Sequence, residues 1–402
     1  MLNQIDSCEV CGNGDLKESL NLGLHPLCDD LKVIGDLGRS SEFPIEILFC
    51  EVCKTAHQKY QVQKLVLFPD TYHYRSRFTA DVLKGMADLV ATTEGLLSES
   101  LEGKTVLDVG CNDGSLLNFF SDRGAKTIGI EPTRAADDAN RARHEIYKTY
   151  FESEIANKIK SVHGFPDIIT FTNVFAHIED LTALIESLKV LMGDKTLLVI
   201  ENHYLGAVIE GNQFDTFYHE HPRTYSVNSF LHISNALSAN IIDVQFPNRY
   251  GGNIRVCLNK NTALRPLENK LDDILELETG LGESLSNMSL FVEDWKLRTQ
   301  KHIAELVRIH GPLCAKAFPG RAAVLVKILG LDENHISGVY ERTSSLKIGH
   351  YLPGTKIPIL DEADLDFVKL NSPIINLAWH ISEEIESYVR SKGFDGEIVN
   401  IL

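Results

Sequence analysis

The densest chemistry in this chain lies within FDTFYHEHPRTYS, from Phe214 to Ser226, where Tyr218, His219, Glu220 and His221 follow one another. Consecutive side chains cannot all face one way, so at most two or three of them converge on one substrate. Two histidines and an acid could hold a metal, yet a histidine pair split by a single carboxylate is not a recurring zinc pattern, and acid–base work is the better reading. A second group stands at the front, where Cys8 and Cys11 form one CxxC pair and Cys50 and Cys53 another. Each pair lets two thiolates reach one ion from a tight turn, and four such ligands complete a tetrahedral structural zinc site. The 38 residues between the pairs exceed the usual gap of roughly 15 to 20, so four unbound thiols or a redox pair remain the alternatives. A closed four-thiolate shell has no open position, and such a zinc would organise its module without taking part in catalysis. His25 and His57 lie nearby as substitute ligands, while Cys28, Cys111, Cys257 and Cys314 have no partner at metal spacing and read as small buried residues.

The third feature is VLDVGCNDGS, Val106 to Ser115. A buried strand ends at Gly110, the chain turns through Cys111, Asn112 and Asp113, and a helix opens at Gly114 and Ser115; glycines there let the backbone approach a ligand closely. The spacing is not the GxGxxG that seats a pyrophosphate on a helix N-terminus, and Asp113 at the mouth would repel phosphate. An acid there suits a ligand with a positive centre and an amino group. Glu131 ends the next strand-like run, TIGIE, 21 residues after Gly110, where a carboxylate can accept the ribose hydroxyls of an adenosine.

These features need a scaffold. From Thr79 to about Leu101, Val82, Met86, Leu89 and Val90 recur at helical spacing. Between Lys104 and Asn259 the runs TVLDVG, TIGIEP, DIITFTN, TLLVIEN, IIDVQF and NIRVCL alternate with helical stretches, which predicts a largely parallel sheet covered by helices, with NIRVCL in a late hairpin. The segment to Asp70 reads as short strands and turns. Glu268 to His310, charged and leucine-rich, reads as long surface helix, and beyond it AAVLVKILG, ISGVYE, IPILDEADL, IINLAWH and EIVNIL compose a smaller α/β domain. The predicted architecture is therefore α/β in three parts, with boundaries at 1–70, 71–265 and 266–402, the last including the bridging helices.

With 56 acidic against 39 basic residues and a formal charge of −17, the chain is unsuited to non-specific binding of nucleic acid or an anionic membrane. No apolar run approaches the roughly 20 residues that span a bilayer, and MLNQIDSCEVCGNG lacks the regions of a signal peptide, so a cytoplasmic location is expected. The sequence leaves the oligomeric state open.

The glycine loop, its flanking strand and helix, and Glu131 together resemble the class I S-adenosylmethionine-dependent methyltransferases. Taken in order, the two CxxC pairs, DTYHYRS, the loop, ENHYLGAVIEGNQFDTFYHEH, RYGGNIRV and YLPGTKIPI resemble the sugar C-methyltransferases that act at carbon 3 of nucleotide-linked 4-keto deoxysugars. That resemblance spans nearly the whole chain. It implies a zinc module, a central Rossmann-like cofactor domain and a C-terminal α/β domain. It also implies that Asp108, Gly110, Cys111, Asn112, Asp113, Gly114, Glu131 and Asn173 face S-adenosylmethionine. His221 would be the general base, Glu220 would orient it or touch the sugar, and Tyr218 would lie near the keto oxygen. Tyr74, with Tyr72 as its stand-in, and His177 complete the implied substrate site. The implied partner is a small nucleotide-sugar.

The chain departs from the family in two places. In AKAFPGRAAVLVKILG and VYERTSSLKIG, Arg321 replaces an expected lysine, Glu341 replaces an aspartate, and Lys347 is followed by Ile348. Those changes fall where nucleotide or sugar would be held. Pro222 and Arg223 stand where apolar and small residues are expected; Arg223 could pair with a substrate carboxylate or phosphate, or with the acidic surface. Two other functions stay open, methylation of a hydroxyl or other small-metabolite acceptor, and a non-catalytic binding module that retains cofactor.

Overall fold

The structure, a computed structural model, describes residues 2–70, 72–142, 144–261 and 268–402. The expected domain boundaries after 70 and after 265 fall at residues 71 and 265–266, which lie outside the described residues. The chain forms two compact units, Met1–Glu18 with Leu48–Gly211 and Glu220–Ser284, and Ser19–Ile47 with Asn212–His219 and Leu285–Leu402.

The first unit is built on a seven-stranded sheet. Its strands are β1 (Thr105–Val109), β2 (Lys126–Ile130), β3 (Glu145–Tyr147), β4 (Ile168–Thr172), β5 (Leu197–His203), β6 (Asn240–Gln245) and β7 (Asn253–Asn259), in the order β6-β7-β5-β4-β1-β2-β3. β1 to β5 pair in parallel, and β7 runs antiparallel between β5 and β6. This is the class I methyltransferase form of the Rossmann-like fold. The apolar runs of the sequence explain it, because β1, β4 and β5 are buried on both faces and only a sheet sandwiched between helices rewards unbroken apolar strands. One face packs Leu107, Phe171 and Ile200 against helices 153–163 and 181–191. The other packs Val106, Ile168 and Val199 against the helix Ala80–Leu97, the predicted helix shortened by a few residues at its end. β3, with only three residues, carried no periodic signal and is the one strand of this sheet that the sequence did not announce.

The front segment was expected as short strands, yet Leu16–Pro26 and Glu42–Cys50 run to 11 and 9 residues, and the first unit also holds two short antiparallel pairs. Leu2–Gln4 pairs antiparallel with Tyr60–Val62, and Thr55–Gln58 pairs antiparallel with Arg223–Thr224, placing Arg223 opposite His57.

The second unit holds a five-stranded parallel sheet, β8 (Leu313–Lys316), β9 (Ile336–Glu341), β10 (Ile359–Asp361), β11 (Ile374–Asn376) and β12 (Ile398–Asn400), ordered β10-β9-β8-β11-β12. Helices Ala322–Leu329 and Ser382–Ser391 accompany it. The stretch expected as long surface helix is Glu268–Leu277, a 3-10 turn Glu278–Gly280 and Leu281–His310. It is not merely surface. Leu285, Met288, Trp295 and Ile303 are buried, and Trp295 Nε1 donates to the Ile401 carbonyl at 2.9 Å; apolar residues every three or four positions put one stripe of the helix into the core.

Candidate active site

The glycine loop leaves β1 at its carboxyl end. Gly110 has φ +73° and Gly114 +78°, left-handed values that cost a β-carbon residue energy. At Gly110 a Cβ would also lie 2.5 Å from Val174 Cγ2. Gly114 is the N-cap of the helix Ser115–Ser121, as the sequence predicts. The loop is then braced from inside. Gly110 and Cys111 donate their N–H groups to the Ile130 carbonyl at 2.7 and 3.0 Å, and Asn112 donates its N–H to Glu131 Oε2 at 3.1 Å.

Glu131 is nearly buried. Its Oε1 accepts from Thr133 N and Oγ1 at 2.9 and 2.7 Å. Three donors on a carboxylate with about four lone-pair sites leave room for one ribose hydroxyl without rearrangement. Asp113 Oδ1 accepts from Ser115 Oγ at 2.6 Å and Oδ2 from Arg77 N at 3.0 Å. Asp108 lies deeper, on β1, where it accepts from Thr170 Oγ1 at 2.7 Å. Burial, and the charge of Glu131, push its carboxyl up to about 7. Asn173 follows β4 with φ +53°, its N–H on the Glu201 carbonyl at 2.7 Å and its Oδ1 accepting from Asn253 Nδ2 at 3.3 Å.

The acid–base residues of the first unit assemble around β4, β5 and the segment 72–77. The rings of Phe68 and His177 stack at 5.3 Å, His177 and His221 lie 4.9 Å apart, His221 and His203 5.1 Å, and His203 and Tyr250 5.8 Å between centroids. Tyr72 Oη donates to Glu220 Oε2 at 2.9 Å, so Tyr72, ranked behind Tyr74 by the sequence, is the tyrosine that meets the glutamate. Tyr74 Oη instead shares a hydrogen bond of 3.1 Å with Tyr250 Oη. Burial, and the neighbouring His221, hold His177 well below the ordinary histidine value, which favours its neutral form. His203 and Tyr250 were not among the expected residues. Both sit inside quoted motifs, ENHY and RYGGNIRV, and Tyr250 just ahead of two glycines has φ +54°, a signal that only the backbone reveals.

The other two members of YHEH belong to the second unit, where Tyr218 is half-buried and His219 hydrogen-bonds through Nε2 to the Phe43 carbonyl at 3.1 Å. Burial pushes His219 down to about 4.

The same unit holds a buried charge group. Glu201 on β5 accepts from Arg249 Nε at 2.5 Å, Asn253 Nδ2 at 3.0 Å and Arg255 Nε at 2.8 Å. Arg223 corrects an expectation: it is fully buried and faces neither substrate nor acidic surface. Its Nη1 lies 2.8 Å from Glu9 Oε2, its Nε donates to Tyr225 Oη at 3.0 Å, and it also donates to the carbonyls of Ile178 and Glu179.

The four cysteines converge in the same unit. Cys8 and Cys53 Sγ are 3.3 Å apart, Cys11 and Cys50 Sγ 3.5 Å, and all four sulfurs lie within 4.8 Å of one another. Zinc–sulfur bonds of about 2.3 Å in a tetrahedron separate sulfurs by roughly 3.8 Å, so the set fits a four-thiolate ion. His57 Nε2 touches Cys8 Sγ at 3.3 Å, while His25 bonds the Leu22 carbonyl at 2.8 Å in the second unit. Among the described residues these cysteines are the one group of three or more metal-competent side chains.

Comparison with known proteins finds three family matches along the chain. A putative zinc binding domain matches residues 8–68, a methyltransferase domain 74–240 and a C-methyltransferase C-terminal domain 248–399. The C-methyltransferase NovU of Streptomyces niveus is 27% identical over 367 residues, covering 89% of this chain and 86% of that protein. The chain is an S-adenosylmethionine-dependent methyltransferase. This methyltransferase also resembles, over 102 residues at 30% identity, the ubiquinone biosynthesis O-methyltransferase of Actinobacillus pleuropneumoniae, covering 24% of this chain and 44% of that protein. Among solved structures it overlaps magnesium protoporphyrin IX methyltransferase of Synechocystis at 15% identity and TM-score 0.35, covering 45% of this chain and 84% of that one. Among the described residues of the methyltransferase no helix is long and apolar enough to cross a membrane.

Proposed function

We propose that this enzyme methylates carbon 3 of a nucleotide-linked 4-keto deoxysugar, with His221 as the base. One observation carries the reading. The segment 72–77 touches both halves of the chemistry: Tyr72 bonds Glu220, while the Tyr74 carbonyl accepts from Asn112 Nδ2 at 3.2 Å and Arg77 N donates to Asp113. A group suited to removing a proton is thereby tied to the loop suited to the methyl donor.

S-adenosylmethionine, when bound against Gly110 to Gly114 and Glu131, supplies a methyl group on a sulfonium. A carbon next to a ketone is a weak acid, so the protein must take its proton and support the enolate. His221 takes that proton. His177, kept neutral beside it, adds no competing positive charge, and Glu220, held by Tyr72, compensates the imidazolium. The hydroxyl pair Tyr74–Tyr250 is the donor set for the developing enolate oxygen. The enolate carbon would then be placed to take the methyl as the sulfonium–methyl bond breaks, the electron pair staying on sulfur to leave the neutral thioether and the proton staying on His221. The four thiolates would hold a structural zinc, whose closed shell has no open position for a reacting water. The three-part division at 1–70, 71–265 and 266–402 goes with this reading.

The test is a mass-spectrometric assay with labelled cofactor and a panel of thymidine and cytidine diphosphate 4-keto sugars. Label fixed to sugar carbon is the expected result. Methylation of no panel member would turn the reading toward a hydroxyl or another small-metabolite acceptor.

A further inference from the structure

The parallel sheet of the second unit has the chain order 3-2-1-4-5, so its switch point lies between β8 and β11. The crevice outside the carboxyl ends of such strands is where open α/β sheets take ligands. Here it holds a piece of the chain itself. Asp215 is fully buried and is gripped from both sides of the switch point. From the loop after β8, Arg321 Nε donates to Oδ2 at 2.8 Å and Nη2 to Oδ1 at 2.6 Å. From the loop after β11, Trp379 Nε1 donates to Oδ2 at 2.9 Å. Arg321 also donates to Thr216 Oγ1, and its guanidinium lies 5.1 Å from the Trp379 ring centre. Next door, Phe214 packs edge-on to Trp295 at 4.9 Å.

We propose that Arg321 is a positioning residue, whose fork on Asp215 pins the segment Asn212–His219 in the switch-point crevice and thereby fixes the stretch that continues through Glu220 to His221. The crevice then takes no phosphate of its own. Lysine, the residue expected at this place, offers one point charge and cannot make the two parallel bonds, whereas a guanidinium matches a carboxylate in a fixed plane. Burial and the charge of Arg321 hold the adjacent His380 down to about 3, consistent with a cation committed inside a dry site.

The catalytic arm of the test rests on the function proposed above; the structural arm does not. Full-length Arg321→Lys, Arg321→Met and Asp215→Asn are compared with wild type. The expected results are kcat lower by about tenfold for the lysine and by about a hundredfold for the methionine variant, with KM and the calorimetric Kd for thymidine diphosphate within threefold. Amide exchange in the 212–221 peptide should be at least about tenfold faster in all three. If Arg321→Met does not fold, the lysine and Asp215→Asn variants carry the comparison. A tenfold weaker Kd for thymidine diphosphate with kcat unchanged would make Arg321 a ligand-binding residue and overturn the proposal, as would unchanged exchange in the 212–221 peptide. Should wild type methylate no panel sugar, the function fails while the exchange result still decides whether the anchor exists.

Discussion

Asparagine in place of Asp108 should make the first unit more stable, and more so as pH rises. Asp108 is 3% exposed, has a single hydroxyl donor in Thr170 and lies near the acid Glu131, so its ionised form is poorly supported. Its pKa stands at about 7 in the folded chain against an ordinary 3.8. A raised folded-state value means that the native protein binds more protons than the unfolded chain between about pH 4 and pH 7. Stability contributed by the neutral carboxyl is therefore complete below that window and lost as pH climbs through it. About three units at roughly 1.4 kcal/mol each set a ceiling near 4 kcal/mol. The substituted amide would keep an oxygen for Thr170 and has no charge to bury. Denaturant unfolding of cofactor-free wild type and Asp108→Asn at pH 5 and pH 8 is the assay, and every other titrating group cancels in the difference between the two proteins. The variant should gain about 2 to 4 kcal/mol on wild type between the two pH values. A difference that stays flat within about 0.5 kcal/mol would refute the claim that this carboxyl is buried without compensation.

Three further outcomes follow from the geometry. Glu201→Gln leaves two buried guanidiniums facing a neutral amide and should cost about 3 to 5 kcal/mol, read as a lower denaturation midpoint, whereas a loss under about 1 kcal/mol would mean that the Asp88 carboxylate, 2.9 Å from Arg255 Nη1, and the Val82 carbonyl, 3.1 Å from Arg249 Nη1, suffice for the two cations. The purified chain should carry one zinc by elemental analysis; Cys50→Ser should lower that content and melt the front module earlier, by at least several degrees, while S-adenosylmethionine affinity measured by calorimetry stays within about threefold. Tyr250→Phe removes one hydroxyl bond from Tyr74 and should lower kcat about tenfold at constant KM; an unaltered kcat would take Tyr250 out of the site.

The sheet of the first unit was legible because Thr105–Val109, Ile168–Thr172 and Leu197–His203 are each built on a run of apolar residues, and burial on both faces writes itself into composition. The CxxC pairs were legible for a similar reason, since two thiols three residues apart have few other uses. What could not be read was where long-range polar partners fall. Arg223 pairs with Glu9, and Arg321 with Asp215, separations over which no periodicity operates, so their buried charges looked available for a ligand. Tyr72 and Tyr74 differ by two positions, and only the path of the backbone decides which reaches Glu220 and which reaches Tyr250. His203 ends a strand and reads as one more strand residue until its ring is seen beside His221.

The central claim is that His221 takes a proton from the carbon that receives the methyl group, and the most direct measurement is hydrogen exchange at that carbon. In deuterated water with S-adenosylhomocysteine in place of the methyl donor, wild type should wash deuterium into the carbon next to the ketone of the accepted sugar nucleotide. His221→Asn should abolish that exchange and turnover while its affinity for S-adenosylmethionine is unchanged. Exchange at the wild-type rate in His221→Asn, or methylation by wild type with no exchange at any carbon, would contradict the account.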